Sequence, residues 1–185
     1  MTAESHYLDA LEALEADDRE EALLHARKAI KLDPEHADAW RIVSDASLPG
    51  LRKQPTLKQA ASSLSAAKKV VALQPDDLAM WVRGGRLLSD ELGLYMDALQ
   101  WWQDARHHAP EEVTPIVEQA AILADMGLYG EASERLQSII DENMDLATTQ
   151  YTRVARLHQM CKLASEQRVC ICLLYTSDAA DDSPS

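Results

Sequence analysis

Three prolines stand at matching points of a recurring pattern, and that recurrence restricts the fold more than any other feature of the chain. Pro34 is followed six residues later by Trp40, Pro75 by Trp81 and Pro110 by Ile116. Five residues before the prolines lie Ala29, Val70 and Ala105, and twelve before them Ala22, Ser63 and Ala98. Small side chains at fixed offsets let two helices approach closely. A period of about 34 residues marks stacked helical hairpins, none of which can bury its apolar face alone. The prolines are 41 and 35 residues apart, so the second repeat carries several extra residues and the third carries one.

The segments between the prolines read as helices. Ala22, Leu23, Ala26, Ala29 and Ile30 fall on one helical face, and no stretch alternates apolar and polar residues for long enough to suggest a strand. Breakers lie between the periodic runs, at Pro34, Pro49-Gly50, Pro55, Pro75, Gly93, Pro110 and Gly127, and leave helices of about 12 to 16 residues. Thr56 and Gln59 have the spacing of a capping box that restarts a helix at Leu57 after the insertion Leu48–Thr56, read as an ordered loop. Asp33-Pro34-Glu35 and Pro75-Asp76-Asp77 put an acid and a proline near helix starts, where the dipole and the missing amide favour them.

This pattern resembles the tetratricopeptide repeat family, whose repeats carry Trp, Leu-Gly, Tyr, Ala, an aromatic, Ala and Pro in that order. The third repeat matches with Trp81, Gly85, Leu88, Ala98, Trp102, Ala105 and Pro110. The fourth, from Val113, offers Ala120, Leu123, Gly127, Ala132, Leu136 and Ile139, and the first offers Asp17, Ala22, Ala29 and Pro34. Departures are Gly84 where Leu is expected, Met144 where the closing proline would stand, and the absence of any Phe. The resemblance implies an all-α fold, a right-handed superhelical solenoid of four to five TPR-like hairpins occupying residues 1–170.

From Cys172 the chain reads Cys-Leu-Leu-Tyr-Thr-Ser-Asp-Ala-Ala-Asp, which resembles the translated read-through of a transposase-type sequencing adaptor. Residues 171–185 are accordingly expected to be a non-native, disordered tail following a truncation near Ile171. Cys170 and Cys172 then make no metal motif. Tyr151, Val154, Ala155 and Leu157 begin a fifth hairpin whose partner is mostly missing, leaving an uncapped apolar end through which copies could self-associate.

Composition excludes several function classes. The formal net charge of −13 repels phosphate backbones and anionic lipid, so neither nucleic acid nor membrane is an expected partner. No apolar run reaches the roughly 20 residues needed to span a bilayer, and the N-terminus lacks a secretion signal. Three cysteines clustered after residue 160 give no disulfide framework. A cytoplasmic location is expected. Nucleophile elbows, phosphate loops and zinc spacings are missing, so no enzymatic activity, cofactor or metal is expected. Gly84-Gly85 lies inside a helix, where tight packing explains it better than phosphate binding does. His107-His108 reads as a solvated helix end. Trp40, Trp81 and Trp102 fall on or beside packing positions, with Trp101 the one expected to be partly exposed.

In tetratricopeptide solenoids the first helix of each hairpin lines a concave surface, and the resemblance implies a partner groove there. It comprises Asp38, Arg41 and Asp45, then Val82, Arg83 and Arg86, then Val117, Ala121 and Asp125, and finally Tyr151 and Ala155. The terminal-carboxylate clamp of chaperone-binding members would fall on Tyr7 or Leu8 and on Leu11 or Glu12, so that clamp is missing. The expected partner is another protein, a peptide or helix, with an acidic segment favoured by the three arginines; the opposing reading leaves them on a solvated face or pairs them internally with Asp45 and Asp90. Residues 41–75 also gather Arg41, Arg52, Lys53, Lys58, Lys68 and Lys69 against Asp45 alone, a basic rim on an acidic body. The expected function is an interaction scaffold or adaptor. The alternative is the repeat region of a longer enzyme or regulator.

Overall fold

The structure, a computed structural model, describes the backbone of residues 2–50, 53–141 and 148–180, and the side chains of these apart from 148–149 and 168–180. Among the described residues all regular structure is helical. The chain forms two compact units, Met1–Ala109 and Pro110–Ser185.

The first unit holds α1 (Ala3–Glu15), α2 (Arg19–Leu32), α3 (Ala37–Ser47), α4 (Leu57–Leu73), α5 (Leu78–Arg86) and α6 (Tyr95–His108). Each packs on the next, so three hairpins follow one another, and the first helices of the first two, α1 and α3, also touch. Small residues set the spacing. Ala10, Ala22, Ala26, Ile42, Val43, Ala46 and Ala66 form one buried cluster. Ser44 and Ser63 are fully buried between α3 and α4 and exchange bonds, each hydroxyl donating to the other's carbonyl at 3.1 and 2.8 Å. The small positions twelve residues before each proline are buried as the repeat predicts: Ala22, Ser63 and Ala98 are all 0% exposed.

Local chemistry explains where these helices start and stop. Asp18 caps α2, accepting from the Glu21 amide at 3.1 Å, and Asp77 caps α5, accepting from Met80 at 3.2 Å. Thr56 and Gln59 form the expected capping box at α4. His36 caps α3 through Nδ1, which accepts from the Ala39 amide at 3.3 Å. After α5 the chain continues as one π-helical turn, Leu87–Glu91, closed by the Leu92 amide on the Leu87 carbonyl at 3.0 Å. The turn that follows uses Gly93 at φ +64°, and the equivalent position after α1 is Asp17 at φ +59°.

The second unit holds α7 (Thr114–Asp125), α8 (Tyr129–Asp141) and α9 (Thr148–Ala180), with α7 packed on α8 and both on α9. Ile116, Leu136, Ile139, Val154 and Cys161 fill its core. Helix α9 runs to Ala180; neither Pro nor Gly interrupts the chain between Gly130 and Pro184. Residues 181–185 and Met144 lie outside the described residues. Among the described residues no helix is long and apolar enough to cross a membrane.

Candidate functional site

On the first unit the expected groove residues lie on α3 and α5, and their charges are largely committed to one another. Arg41 donates through Nε to Asp77 at 2.8 Å, through one terminal nitrogen to Asp38 at 2.6 Å and through the other to the Gln74 side-chain oxygen at 2.7 Å. It thereby ties α3 to the capping residue of α5. Burial pulls its guanidinium down, but the hydrogen bond and charge of Asp77, reinforced by Asp38, hold it above the ordinary arginine range. Arg83 on α5 pairs with Asp45 on α3, and burial pulls its guanidinium below the ordinary range. Asp90 accepts instead from the Ser89 hydroxyl at 2.6 Å. Arg86 is exposed and has no ion-pair partner among the described residues, while Val82 is half-buried. The internal reading thus describes Arg41 and Arg83, and Arg86 is left as the arginine of this face open to a ligand.

On the second unit Val117 is only 3% exposed; it is a core residue rather than part of a surface. Asp125, Tyr151 and Ala155 are exposed. Ala121 lines an open depression of about 440 Å³ whose other walls are Thr152, Arg153, Arg156, Leu157 and Met160 of α9. Arg153 lies across the mouth in a two-point pair with Glu118 of α7, at 2.7 and 2.9 Å. That bond, the largest influence on it, outweighs burial and holds Arg153 above the ordinary range. The depression faces one residue round α9 from the expected Tyr151 and Ala155. Residues 142–147 lie outside the described residues.

Trp101, expected to be partly exposed, is 7% exposed. Its indole N–H donates to the Trp81 carbonyl at 2.7 Å, and its ring lies over Gly84, where a Cβ would sit 2.6 Å from Cε2. Trp102 covers Gly85 in the same way, 2.7 Å from its Nε1. The glycine pair therefore serves close packing of α5 on α6. His107 and His108 are exposed, as expected, with His108 stacked on Trp81 at 5.8 Å.

Of the basic rim, Lys53 and Lys58 line a second depression, about 680 Å³, together with Arg19 and Arg27, whereas Arg41 and Lys68 lie at other depressions. Arg19 spends its head holding the insertion, donating to the carbonyls of Asp45 at 3.0 Å and Leu48 at 3.1 Å. Arg52 lies outside the described residues.

No family model matches the sequence, and no curated protein does. Solved structures do match. A crystal structure of a MamA protein aligns with 99% of this chain and 97% of its own at TM-score 0.68 and 12% identity. TTC0263, a thermophilic TPR protein of Thermus thermophilus, aligns over 86% of this chain and 82% of its own at TM-score 0.52 and 16% identity. PilW, a type IV pilus biogenesis factor, aligns over 89% and 78% at TM-score 0.52 and 16% identity. At such identities the likeness is one of fold: the chain has the helical-hairpin architecture of tetratricopeptide proteins.

Proposed function

We propose that this chain is a protein-binding scaffold that docks a peptide or helix and catalyses no reaction. The observation carrying the proposal is the depression between α7 and α9. Its floor is apolar, from Ala121, Leu157 and Met160, and Arg156 stands on its wall. Met160 is 57% exposed and Tyr151 62%, so apolar area lies open beside it where first helices of successive hairpins meet. Such a surface suits an amphipathic segment with two apolar anchors at helical spacing and an acidic flank. Arg86 on the first unit is a separate exposed cation. The cytoplasmic location and the acidic character of the partner belong to the same proposal.

Selection from a random displayed peptide library tests it. Peptides enriched on the wild-type chain are expected to carry paired apolar residues flanked by Asp or Glu, to bind at micromolar Kd, and to lose at least about tenfold in affinity to an Ala121→Trp variant that fills the depression. Arg86→Glu is the informative charge reversal, since reversing Arg41 or Arg83 would instead cut the ties between α3 and α5. Enriched peptides that bind Ala121→Trp as tightly as wild type would remove the depression from the function.

A further inference from the structure

Three ligand-type side chains converge in the first hairpin, away from every surface considered above. His6 and Asp9 lie three residues apart on α1, and His25 meets them from α2. Asp9 Oδ2 is 3.1 Å from His25 Nδ1 and 3.9 Å from His6 Nδ1, and one donor atom from each of the three residues lies within 4.8 Å of the others. His6 is 9% exposed, and the Nδ1 atoms of both histidines are buried without any hydrogen-bond partner. Buried nitrogens left beside a carboxylate oxygen without bonding it carry an uncompensated desolvation cost.

The orientation of His25 has an identifiable cause. Its Nε2 lies 3.0 Å from Glu21 Oε1, one turn earlier on α2. When that nitrogen carries the proton and donates to Glu21, the Nδ1 of the neutral ring keeps a free lone pair 3.1 Å from Asp9 Oδ2. A carboxylate that fixes the tautomer and basicity of an imidazole in this way is the usual outer partner of a metal-binding histidine. With bonds near 2.0 Å and tetrahedral angles, two ligands of one zinc ion lie about 3.3 Å apart, and the 3.1 and 3.9 Å separations bracket that value.

We propose that His6, Asp9 and His25 form a divalent transition-metal site, of the zinc class, with Glu21 as its outer-sphere positioning residue. Two imidazoles and one carboxylate favour zinc, cobalt, nickel or copper over calcium and magnesium, which take oxygen ligands. Three protein ligands leave a fourth position for water. The ion cross-links α1 to α2 beside the buried side chains of Ala10, Ala22 and Ala26.

The test uses the full chain, stripped with chelator and titrated with zinc chloride alone. Calorimetry is expected to show one saturable site, and the thermal midpoint to rise with the logarithm of zinc concentration. Cobalt(II) in its place is expected to give the visible absorption of a nitrogen- and oxygen-ligated ion. His6→Gln and His25→Gln, checked for wild-type helicity by circular dichroism, are expected to abolish both effects. Glu21→Gln is expected to weaken binding about tenfold or more, with His158→Gln as an unaffected control. Absence of saturable binding to the wild-type chain, as expected if His25 is instead a protonated partner of Asp9 and Glu21, overturns the proposal. So does undiminished binding in the two His→Gln variants.

Discussion

Gly84 and Gly85 are neighbours in one helix, yet each is required by a different indole. A Cβ at either position meets ring atoms of a buried tryptophan, Trp101 or Trp102, inside 3 Å. Alanine would gain about 1 kcal/mol of helix propensity, but forced overpacking costs about 1–3 kcal/mol. Here the obstacle is the body of a ring rather than a flexible chain end, so the steric term wins. Gly84→Ala and Gly85→Ala are each expected to destabilise the first unit by about 1–2 kcal/mol in urea unfolding followed by tryptophan fluorescence; a neutral or stabilised variant would show that α6 can back away. Tight packing at the glycine pair was legible in the sequence. The burial of both tryptophans was not, because adjacent helical residues point about 100° apart and one of them then reads as outward. Two glycines side by side flatten α5 enough to receive both rings. The histidine–aspartate cluster was illegible for a different reason: its members come from two helices, and only packing makes neighbours of them.

At the scale of elements, the proline–tryptophan spacing turns out to be a hydrogen bond. The Trp40 indole N–H donates to the Pro34 carbonyl at 2.9 Å, and that of Trp81 to the Pro75 carbonyl at 2.8 Å. Each bond closes the turn between one hairpin and the next, and Ile116, six residues after Pro110, can make no such bond. The two closures differ in surroundings, since Trp81 is 5% exposed while Trp40 is only half-buried. A lost neutral bond costs about 0.5–1.5 kcal/mol, and more where the acceptor is left dry. Trp81→Phe is therefore expected to lower stability by about 1–2 kcal/mol and Trp40→Phe by less than about 1 kcal/mol, with equal losses counting against a burial-dependent role. Helix positions were legible because caps and breakers are local signals, as Thr56 and Gln59 show. The partner face was only partly legible. Exposure on α3 and α5 follows from helical phase, but the Arg41–Asp77 and Arg83–Asp45 pairs join residues more than thirty positions apart, which no local pattern reveals.

For the whole molecule the dominant quantity is charge, 31 acidic against 18 basic side chains. Two terms with opposite salt dependence compete. Ion pairs such as Arg19–Asp17, Arg41–Asp38 and Arg153–Glu118 weaken as salt rises, but each such half-exposed pair contributes only about 0–1 kcal/mol. Repulsion among the excess carboxylates acts between many pairs at once. Two unit charges 10 Å apart in water repel by about 0.4 kcal/mol before screening, and the screening length falls from about 30 Å at 0.01 M salt to about 8 Å at 0.15 M. The folded chain holds its carboxylates closer together than the unfolded chain does, so the repulsive sum destabilises the fold and is the larger quantity. The thermal midpoint, measured by circular dichroism with chelator present to exclude divalent ions, is expected to rise by several degrees as sodium chloride is raised from 0.01 to 0.15 M. A fall over that range would mean that the few ion pairs joining helices, Arg41 to Asp77 above all, stabilise the fold by more than the whole acidic excess opposes it.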